Sequence, residues 1–234
     1  MSEGAREQYD RWHRSLARAP SHFAPWHDLV RDAIDPAREL RDKRVLELAC
    51  GRGEFARWLS AQQPRLMIAA DFSRGALEIA RDRIGSGCTH LLTADAQRVG
   101  VRSESFRTVI SCETLEHLSE PHRALAEFAR VLEPGGRLYL TTPNYLGPMG
   151  LYRGYLRLTN RRYSEEGQRI NRFLTFPVVR RWLRRAGFRV IGTRATGHYL
   201  PWPRRAPVLL RLSHPWLQPF ALHTLFIAEK PSHT

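Results

Sequence analysis

Three acidic residues lie at or just after the ends of short apolar segments that have the composition of buried strands: Glu47, Asp71 and Asp95. Gly51 and Gly53 form a turn after the first segment, and glycine lets a backbone come close to a ligand. Asp71 lies 20 residues beyond Gly51, the spacing at which an acid meets the hydroxyls of a ribose. Carboxylates accept hydrogen bonds and repel phosphate, so this set favours a positively charged nucleoside over a nucleotide.

The same glycine turn allows a second interpretation. The spacing G-x-G-x-x-A from Gly51 to Ala56 also fits a dinucleotide-binding turn, which would make the protein a nicotinamide-dependent oxidoreductase. Two observations count against it. The two lysines of the chain, Lys43 and Lys230, cannot complete a Tyr-x-x-x-Lys pair, and Asp95 would have no role.

The segments around these residues alternate between strand-like and helical patterns. Helical spacing of apolar residues predicts helices over 74–84 and 121–132, and a further helix that Thr175 caps and Gly187 ends. Apolar runs predict strands over 43–49, 65–71, 89–94, 106–112, 137–142, 188–195 and 222–229. This alternation predicts an α/β fold in which helices cover both faces of a parallel sheet, and such sheets bind ligands at the carboxyl ends of their strands.

The chain is predicted to form a single domain with four consecutive parts. Residues 1–40 would form an N-terminal cap of two helices, and residues 41–142 the cofactor-binding core. Residues 143–175 are irregular or weakly helical in pattern and too long for a simple connection, so we expect a lid or substrate insertion there. Residues 176–234 would add a C-terminal helix and strands.

The positive charge of the chain is concentrated in its last part. The formal net charge is +14, and residues 141–234 contain 16 Lys and Arg but only three acids. Such asymmetry indicates an anionic partner, although a solvated Arg-rich surface would look the same. The three cysteines are scattered, the N-terminus lacks the apolar core of a secretory signal, and no apolar run has the length of a membrane span. We therefore expect a cytoplasmic protein.

Several motifs together resemble one known family. Residues 44–55, RVLELACGRGEF, resemble the glycine-rich first motif of class I S-adenosylmethionine-dependent methyltransferases, and the resemblance continues through Asp71, Asp95, 113–117 and 132–144. The stretch 170–173 and the Ala-Gly-Phe at 186–188 resemble the small-molecule branch that includes ubiquinone-biosynthesis O-methyltransferases. The resemblance implies a doubly wound, Rossmann-like sheet of seven mostly parallel strands with an antiparallel last strand, and helices on both faces.

The resemblance also implies how S-adenosylmethionine would be bound and released as S-adenosylhomocysteine. Glu47 would hold the methionine amino group, and Gly51 and Gly53 would pass beneath the cofactor. Asp71 would bind the ribose and Phe72 would lie against the adenine.

The remaining contacts implied for the cofactor lie on the next strand ends. Asp95 and the backbone of Ala96 would read the adenine amine, and Cys112 or Glu113 would border the methionine end. Ala49 stands where the family often has glycine, a change that we expect to be tolerated.

The catalytic group is sought among residues near the carboxyl ends of the strands. If the acceptor is a hydroxyl, a base helps the transfer, and we expect His117 first, with Glu113 and His198 as further candidates. The resemblance to quinone O-methyltransferases also suggests a divalent metal on Glu113, Glu116 and His117. We expect no metal, because three side chains within five residues can point in different directions.

The region after residue 143 is predicted to contact the acceptor. The segment 151–162 places Leu151, Tyr155 and Leu158 on one helical face and arginines at intervals of four on another, a pattern typical of helices that rest on anionic membranes or close over a substrate. A plain surface helix is the alternative. Together with the charge of this region, the segment favours a small acceptor that is anionic or lipid-linked. The residues expected to contact it are Tyr145, Arg153, Arg169 and Tyr199.

Other functions remain open from the sequence. Arg169 stands where the family pattern has a histidine, so no catalytic role is assigned there. The C-terminal charge would also suit RNA methylation, but no Asn-Pro-Pro-Tyr-type motif is present. A non-catalytic binding subunit is a third reading. We expect no DNA partner, and the sequence gives no indication of oligomeric state.

Overall fold

The computed structural model describes residues 3–15, 24–85, 87–159, 170–202, 205–210 and 215–232. Within these ranges the chain forms nine strands: β1 Arg44–Leu48, β2 Leu66–Asp71, β3 Thr89–Thr93, β4 Phe106–Cys112, β5 Leu132–Pro143, β6 Arg189–Thr196, β7 His198–Trp202, β8 Arg205–Leu210 and β9 His223–Glu229. The helices in these ranges are α1 Glu3–Ser15, α2 Pro25–Arg31, α3 Pro36–Glu39, α4 Glu54–Ser60, α5 Arg74–Ile84, α6 Pro121–Val131, α7 Pro148–Leu158 and α8 Phe176–Arg185. Two 3₁₀ helices span Leu115–His117 and Pro215–Phe220.

Seven strands form one sheet in the order β3-β2-β1-β4-β5-β9-β6. The pairs from β3 to β5 are parallel, whereas β9 runs antiparallel to both β5 and β6. Strands β7 and β8 form a separate antiparallel hairpin. The expected α/β fold, a doubly wound and mostly parallel sheet with an antiparallel last strand, is confirmed.

Helices cover both faces of the sheet because successive residues of a buried strand point to opposite sides. In β5, Leu138 packs in a core with α6 and α8, while its neighbour Tyr139 packs in a second core with α2 and α4. Strand order reverses between β1 and β4, which lie side by side and lead to helices on opposite faces. Doubly wound sheets bind their ligands at this point.

Helix α8 begins where the sequence predicts but is capped differently. Thr175 precedes the helix, yet its side chain makes no capping hydrogen bond. Instead, the Oδ1 atom of Asn144 accepts a hydrogen bond of 2.9 Å from the backbone N–H of Phe176. Thr175 therefore occupies the predicted N-cap position, but Asn144, which follows β5, accepts the hydrogen bond in place of its side chain.

Three further features differ from the prediction. The described part of residues 1–40 holds three helices rather than two, since Asp35 caps the short α3 by accepting a bond from the N–H of Ala37. Strand β5 begins at Leu132, which pairs with Phe106 ahead of a register shift. The β7–β8 hairpin falls in a stretch for which no strand was predicted.

Candidate functional site

A cavity of about 480 Å³ opens at the carboxyl edge of the sheet. Its lining includes the last residues of β1, β2 and β4, the residues that follow β1 to β4, and residues of α1 and α2. Most of the residues expected to bind a cofactor line it: Glu47, Ala49, Gly51, Asp71, Phe72, Asp95, Ala96 and Cys112. The topology therefore brings together acids that are far apart in sequence.

Glu47 carries a buried carboxylate that needs a partner. It lies near the end of β1 with 3% of its surface exposed, and its Oε2 atom has no hydrogen-bond partner. Burial raises the pKa of Glu47 well above its usual range, and the nearby carboxylates of Asp71 and Glu54 raise it further. A ligand that brings positively charged N–H donors would satisfy this carboxylate, so the site suits an ammonium group.

Asp71 is held rigidly at the end of β2. Its Oδ2 accepts a bond of 2.8 Å from the N–H of Gly51, and its Oδ1 accepts one of 2.8 Å from the N–H of Ser73. Burial raises the pKa of Asp71, and these backbone hydrogen bonds only partly offset that effect. Each oxygen keeps a further acceptor position, so the carboxylate can also bind the two hydroxyls of a ribose.

Gly51 and Gly53 of the glycine turn have different roles. Gly51 lines the cavity with a φ of 54°, and Ala49 before it also has a left-handed φ of 58°. Gly53 does not line the cavity. A Cβ there would lie 2.9 Å from the Cβ of Ala80, so Gly53 allows α4 to pack against α5.

Phe72 and Asp95, which follow β2 and β3, add an aromatic ring and an acid to the cavity lining. The guanidinium of Arg6, from α1, lies 4.8 Å from the centroid of the Phe72 ring. Asp95 accepts a bond of 2.9 Å from the N–H of Gln97, which holds its carboxylate in place beside Ala96. A flat, nitrogen-containing ring would find stacking and hydrogen-bond partners here.

The N-terminal helices form part of the cavity wall. Asp10 anchors α1, since its Oδ1 accepts bonds of 2.5 Å from the Ser73 hydroxyl and 3.1 Å from the N–H of Gly75 at the start of α5. His13 and His27 face the cavity from α1 and α2. Burial lowers the pKa of each to about 4, so both rings are neutral at physiological pH.

Glu113 and His223 form a pair at the end of the cavity bordered by Cys112. The Oε2 atom of Glu113 lies 3.3 Å from Nδ1 of His223, the first residue of β9, and both residues line the cavity. The backbone of Glu113 has a left-handed φ of 46°, which turns the chain at the end of β4. No pattern in the sequence singles out His223. Burial raises the pKa of the Cys112 thiol well above its usual range, so this thiol remains protonated at physiological pH.

His117 also lines the cavity but is engaged in holding the chain. Its Nδ1 lies 2.8 Å from the carbonyl oxygen of Ile170, and its Nε2 lies 3.5 Å from Glu116. Arg172 reinforces the contact by donating a bond of 2.9 Å from Nε to the carbonyl of Leu118. The segment that begins at Ile170 is thus docked on the 3₁₀ helix that contains His117.

The five other residues named from the sequence have different positions. His198 does not line the cavity, and its Nε2 lies 2.8 Å from the carbonyl oxygen of Leu217. Tyr199 does not line it either, but its ring stands edge-on to that of His223 at 6.3 Å. Tyr145 lines the cavity, and Arg153 lies over its ring at 4.5 Å. Arg169 falls outside the described residues.

Glu113, Glu116 and His117 do not come together as a metal site. Within the described residues, no group of three or more His, Cys, Asp or Glu side chains is arranged to hold a metal ion.

Comparison with known proteins agrees with this geometry. The family model described as a methyltransferase domain matches residues 46–140. A demethylmenaquinone methyltransferase of Thermus thermophilus is 33% identical over 154 residues, which cover 58% of this chain and 70% of that protein. A ubiquinone biosynthesis O-methyltransferase of Hahella chejuensis is 33% identical over 132 residues, covering 54% and 55%.

Solved structures share the fold over nearly the whole chain. A chain from the complex between the Haloferax volcanii Trm112 methyltransferase activator and a methyltransferase is 19% identical, covers 98% of this chain and 99% of its own, and has a TM-score of 0.70. Three other curated relatives are longer than this chain, which spans 48%, 55% and 60% of their lengths. The matched motifs, the sheet order and the carboxylates at the strand ends agree, and the chain belongs to the class I S-adenosylmethionine-dependent methyltransferases.

Proposed function

We propose that the protein transfers a methyl group from S-adenosylmethionine to a hydroxyl oxygen of a small molecule that is anionic or lipid-like. The observation that carries the proposal is the buried carboxylate of Glu47, whose Oε2 has no partner and which lines the same cavity as Asp71 and the Glu113–His223 pair. These groups match the two halves of a methyl transfer, a nucleoside with an ammonium tail and an acceptor that loses a proton.

The cofactor half of the cavity is proposed to include three carboxylates. Glu47 would bind the methionine ammonium, Asp71 the ribose hydroxyls, and Asp95 with Ala96 the adenine edge beside Phe72. When bound, S-adenosylmethionine supplies a methyl group on a positively charged sulfur. The acids around it favour this cation electrostatically, and the buried position of Glu47 strengthens the attraction.

The acceptor half is proposed to lie between Cys112 and β9. Trp26, Tyr145 and Leu222 give it an apolar and aromatic lining. A carboxylate can only accept a hydrogen bond, so Glu113 fixes the proton of His223 on Nδ1 and leaves Nε2 to accept a proton. His223 is therefore proposed to take the proton of the acceptor hydroxyl, with Glu113 as its positioning residue. Alignment of the acceptor supplies the rest, and good alignment lowers barriers by roughly 7–11 kcal/mol.

Charge and similarity support an anionic or lipid-like acceptor. Arg153 lies over Tyr145 at the acceptor end, and residues 141–234 contain 16 basic residues against three acids. The relatives named demethylmenaquinone methyltransferase and ubiquinone biosynthesis O-methyltransferase support an acceptor of the quinol type. Membrane contact through 151–162 would suit such an acceptor, and residues up to Leu158 in this range belong to α7.

A cytoplasmic location is part of the same proposal. Cys50, Cys88 and Cys112 are free thiols, which are typical of a reducing compartment. None of the helices in the described ranges combines the length and apolar character that a membrane span requires.

The experiment is a methyl-transfer assay with the methyl-labelled cofactor. The acceptors are catechol, 3,4-dihydroxybenzoate, a short-chain benzoquinol and bulk tRNA, and the products are identified by mass spectrometry. We expect label on a hydroxyl oxygen of the phenolic acceptors, and more on the anionic or lipid-like ones than on catechol. Label on tRNA, or on nitrogen or carbon of the small acceptors, would contradict the proposal.

A further inference from the structure

Large apolar side chains are exposed mainly in three segments of the second half of the chain. Within the described residues, ten of the thirteen exposed large hydrophobic side chains belong to 146–158, 200–210 and 216–220. The most exposed are Leu158 at 89%, Trp216 at 81% and Leu151 at 78%. Exposed apolar side chains that lie close together mark an interaction site, so the contacts between these segments are decisive.

These three segments contact one another, and we call their exposed apolar side chains the apolar rim. A Cβ at Gly147, just before α7, would overlap the carbonyl of Phe220, so α7 starts directly against the second 3₁₀ helix. His198 of β7 contacts the carbonyl of Leu217 in the same helix. Helix α7 also contacts β7. The rim therefore comprises the exposed side chains of Leu146, Leu151, Tyr155, Leu158, Leu200, Val208, Leu209, Leu210, Trp216 and Phe220.

The rim lies at the acceptor end of the cavity. Leu146 follows Tyr145, which lines the cavity, and Phe220 is followed closely by Leu222, which also lines it. Asn144, at the end of β5, donates hydrogen bonds of 2.7 and 3.1 Å from Nδ2 to the carbonyls of Pro219 and Ala221. The end of β5 thus ties the rim to the cavity.

The charge around the rim indicates which kind of partner it binds. Between residues 144 and 222, the described ranges contain no Asp or Glu, while arginines such as Arg157 on α7 are exposed. Two copies of the chain pairing through this face would bring like charges together. An anionic lipid surface satisfies both properties, since it accepts apolar side chains below the headgroups and attracts arginine at their level.

We propose that the apolar rim docks the protein on the surface of an anionic phospholipid bilayer, with the acceptor end of the cavity facing the lipid. Docking would let a lipid-like acceptor move into the cavity without crossing water. It does not depend on the proposed reaction, and would hold equally for an acceptor methylated on carbon or nitrogen.

The test is co-sedimentation of the full chain with vesicles of phosphatidylcholine alone or with 30% phosphatidylglycerol. We expect binding to the anionic vesicles that falls with added salt. The variant Leu151→Gln/Leu158→Gln keeps the net charge and should bind at least tenfold more weakly, as should Trp216→Gln. Ile191→Gln is the matched control, because Ile191 is an exposed apolar residue of β6 outside the rim, and it should bind like the unchanged protein.

Thermal stabilisation by S-adenosylhomocysteine shows that each variant is folded. Absence of binding to anionic vesicles, or unchanged binding by both rim variants, would overturn the docking proposal. So would a dimer in sedimentation equilibrium that the rim variants dissociate, because the rim would then be an interface between copies. Methyl transfer without vesicle binding would refute docking alone, and vesicle binding without methyl transfer would refute the proposed reaction alone.

Discussion

The carboxylate of Glu113 lies 3.3 Å from Nδ1 of His223, although the two residues are 110 positions apart in the chain. Glu113 follows β4 in a left-handed conformation, and His223 begins β9, the antiparallel strand next to β5. This pairing orients the imidazole in the same way that a carboxylate orients a catalytic histidine in other enzymes. In the proposed reaction, this is the end of the cavity at which the acceptor hydroxyl loses its proton.

Replacing His223 should slow the methyl transfer rather than weaken substrate binding. His223→Gln is expected to lower kcat by about 10²–10⁴-fold, the usual contribution of a general base, with KM changed only a few-fold. The loss should shrink when the acceptor is a more acidic phenol, because such a phenol ionises without help. Glu113→Gln should show the same trend with a smaller loss. Steady-state kinetics with phenols of graded acidity measure both effects.

The control for this experiment is His198→Gln. His198 is buried and contacts Leu217, but it does not line the cavity, so its replacement should reduce stability and leave the dependence on phenol acidity unchanged. A His223→Gln variant with unchanged kcat, or with a loss that is equal for all phenols, would rule out the proposed base.

Glu47 should distinguish ligands by their amino-acid tail. Glu47→Gln removes the negative charge that would bind the methionine ammonium, and we expect it to weaken S-adenosylhomocysteine binding by roughly tenfold or more, since hydrogen bonds to charged groups contribute about 1.5–3 kcal/mol. Binding of 5′-methylthioadenosine, which lacks the ammonium and carboxylate, should be nearly unchanged. Calorimetric titration of both ligands makes the comparison, and an equal loss for both would place the ammonium elsewhere.

The left-handed backbone at Ala49 predicts a stabilising substitution. With a φ of 58°, Ala49 is destabilised sterically by roughly 1–2 kcal/mol, and glycine avoids this cost. Glycine has more conformational freedom in the unfolded chain, which lowers the stability of the folded protein by about 0.5–1 kcal/mol. Ala49→Gly should therefore raise the free energy of unfolding by about 0.5–1 kcal/mol. Ala69→Gly, in the buried strand β2, is the matched control and should lower it. Chemical denaturation measures both, and destabilisation of Ala49→Gly would contradict the strain.

The neutral histidines of the cavity wall predict loss of stability in mild acid. The pKa of His27 is about 4 in the folded protein and near 6.5 when unfolded, so only the unfolded chain takes up the proton between these values. The contribution of His27 to the free energy of unfolding is therefore complete above pH 6.5. It decreases as the pH falls, by about 1.4 kcal/mol per pH unit.

The variant His27→Phe isolates this contribution. Phenylalanine keeps the stacking on Phe55, where the two rings lie 4.9 Å apart and nearly parallel. Between pH 7 and pH 5, the free energy of unfolding of the variant should fall by roughly 2 kcal/mol less than that of the unchanged protein. The raised pKa values of Glu47 and Asp71 act in the opposite direction but are present in both proteins. Parallel loss of stability in the two proteins would show that His27 is not buried neutral.

The cofactor half of the site could be predicted because its residues follow local patterns. Glu47, Asp71 and Asp95 each lie at the end of a recognisable apolar strand, and parallel strands bring such ends to one edge. The acceptor half could not be predicted in this way. His223 reaches the cavity only because β9 inserts between β5 and β6, and no spacing in the sequence encodes that insertion.

The parts of the fold that were missed have similar causes. Pro201 and Pro207 interrupt the alternation by which a strand is recognised, so the β7–β8 hairpin gives no clear pattern. An N-terminal helix was predicted, but not its packing beside the cavity, which depends on bonds that Ser73 and Gly75 donate to Asp10, more than 60 residues away in sequence. Long-range contacts of this kind depend on tertiary packing, which local periodicity does not report.

The assignment of the cavity to S-adenosylmethionine is tested by thermal unfolding of ligand-free protein with S-adenosylmethionine, S-adenosylhomocysteine or NADH. A ligand at about 100 times its Kd adds roughly 2.7 kcal/mol, which for a chain of this size raises the Tm by about 5–11 °C. We expect this rise with both sulfur nucleosides and no rise with NADH. A rise with NADH alone would show that the turn at Gly51 binds a dinucleotide and would contradict the assignment of the cavity to methyl transfer.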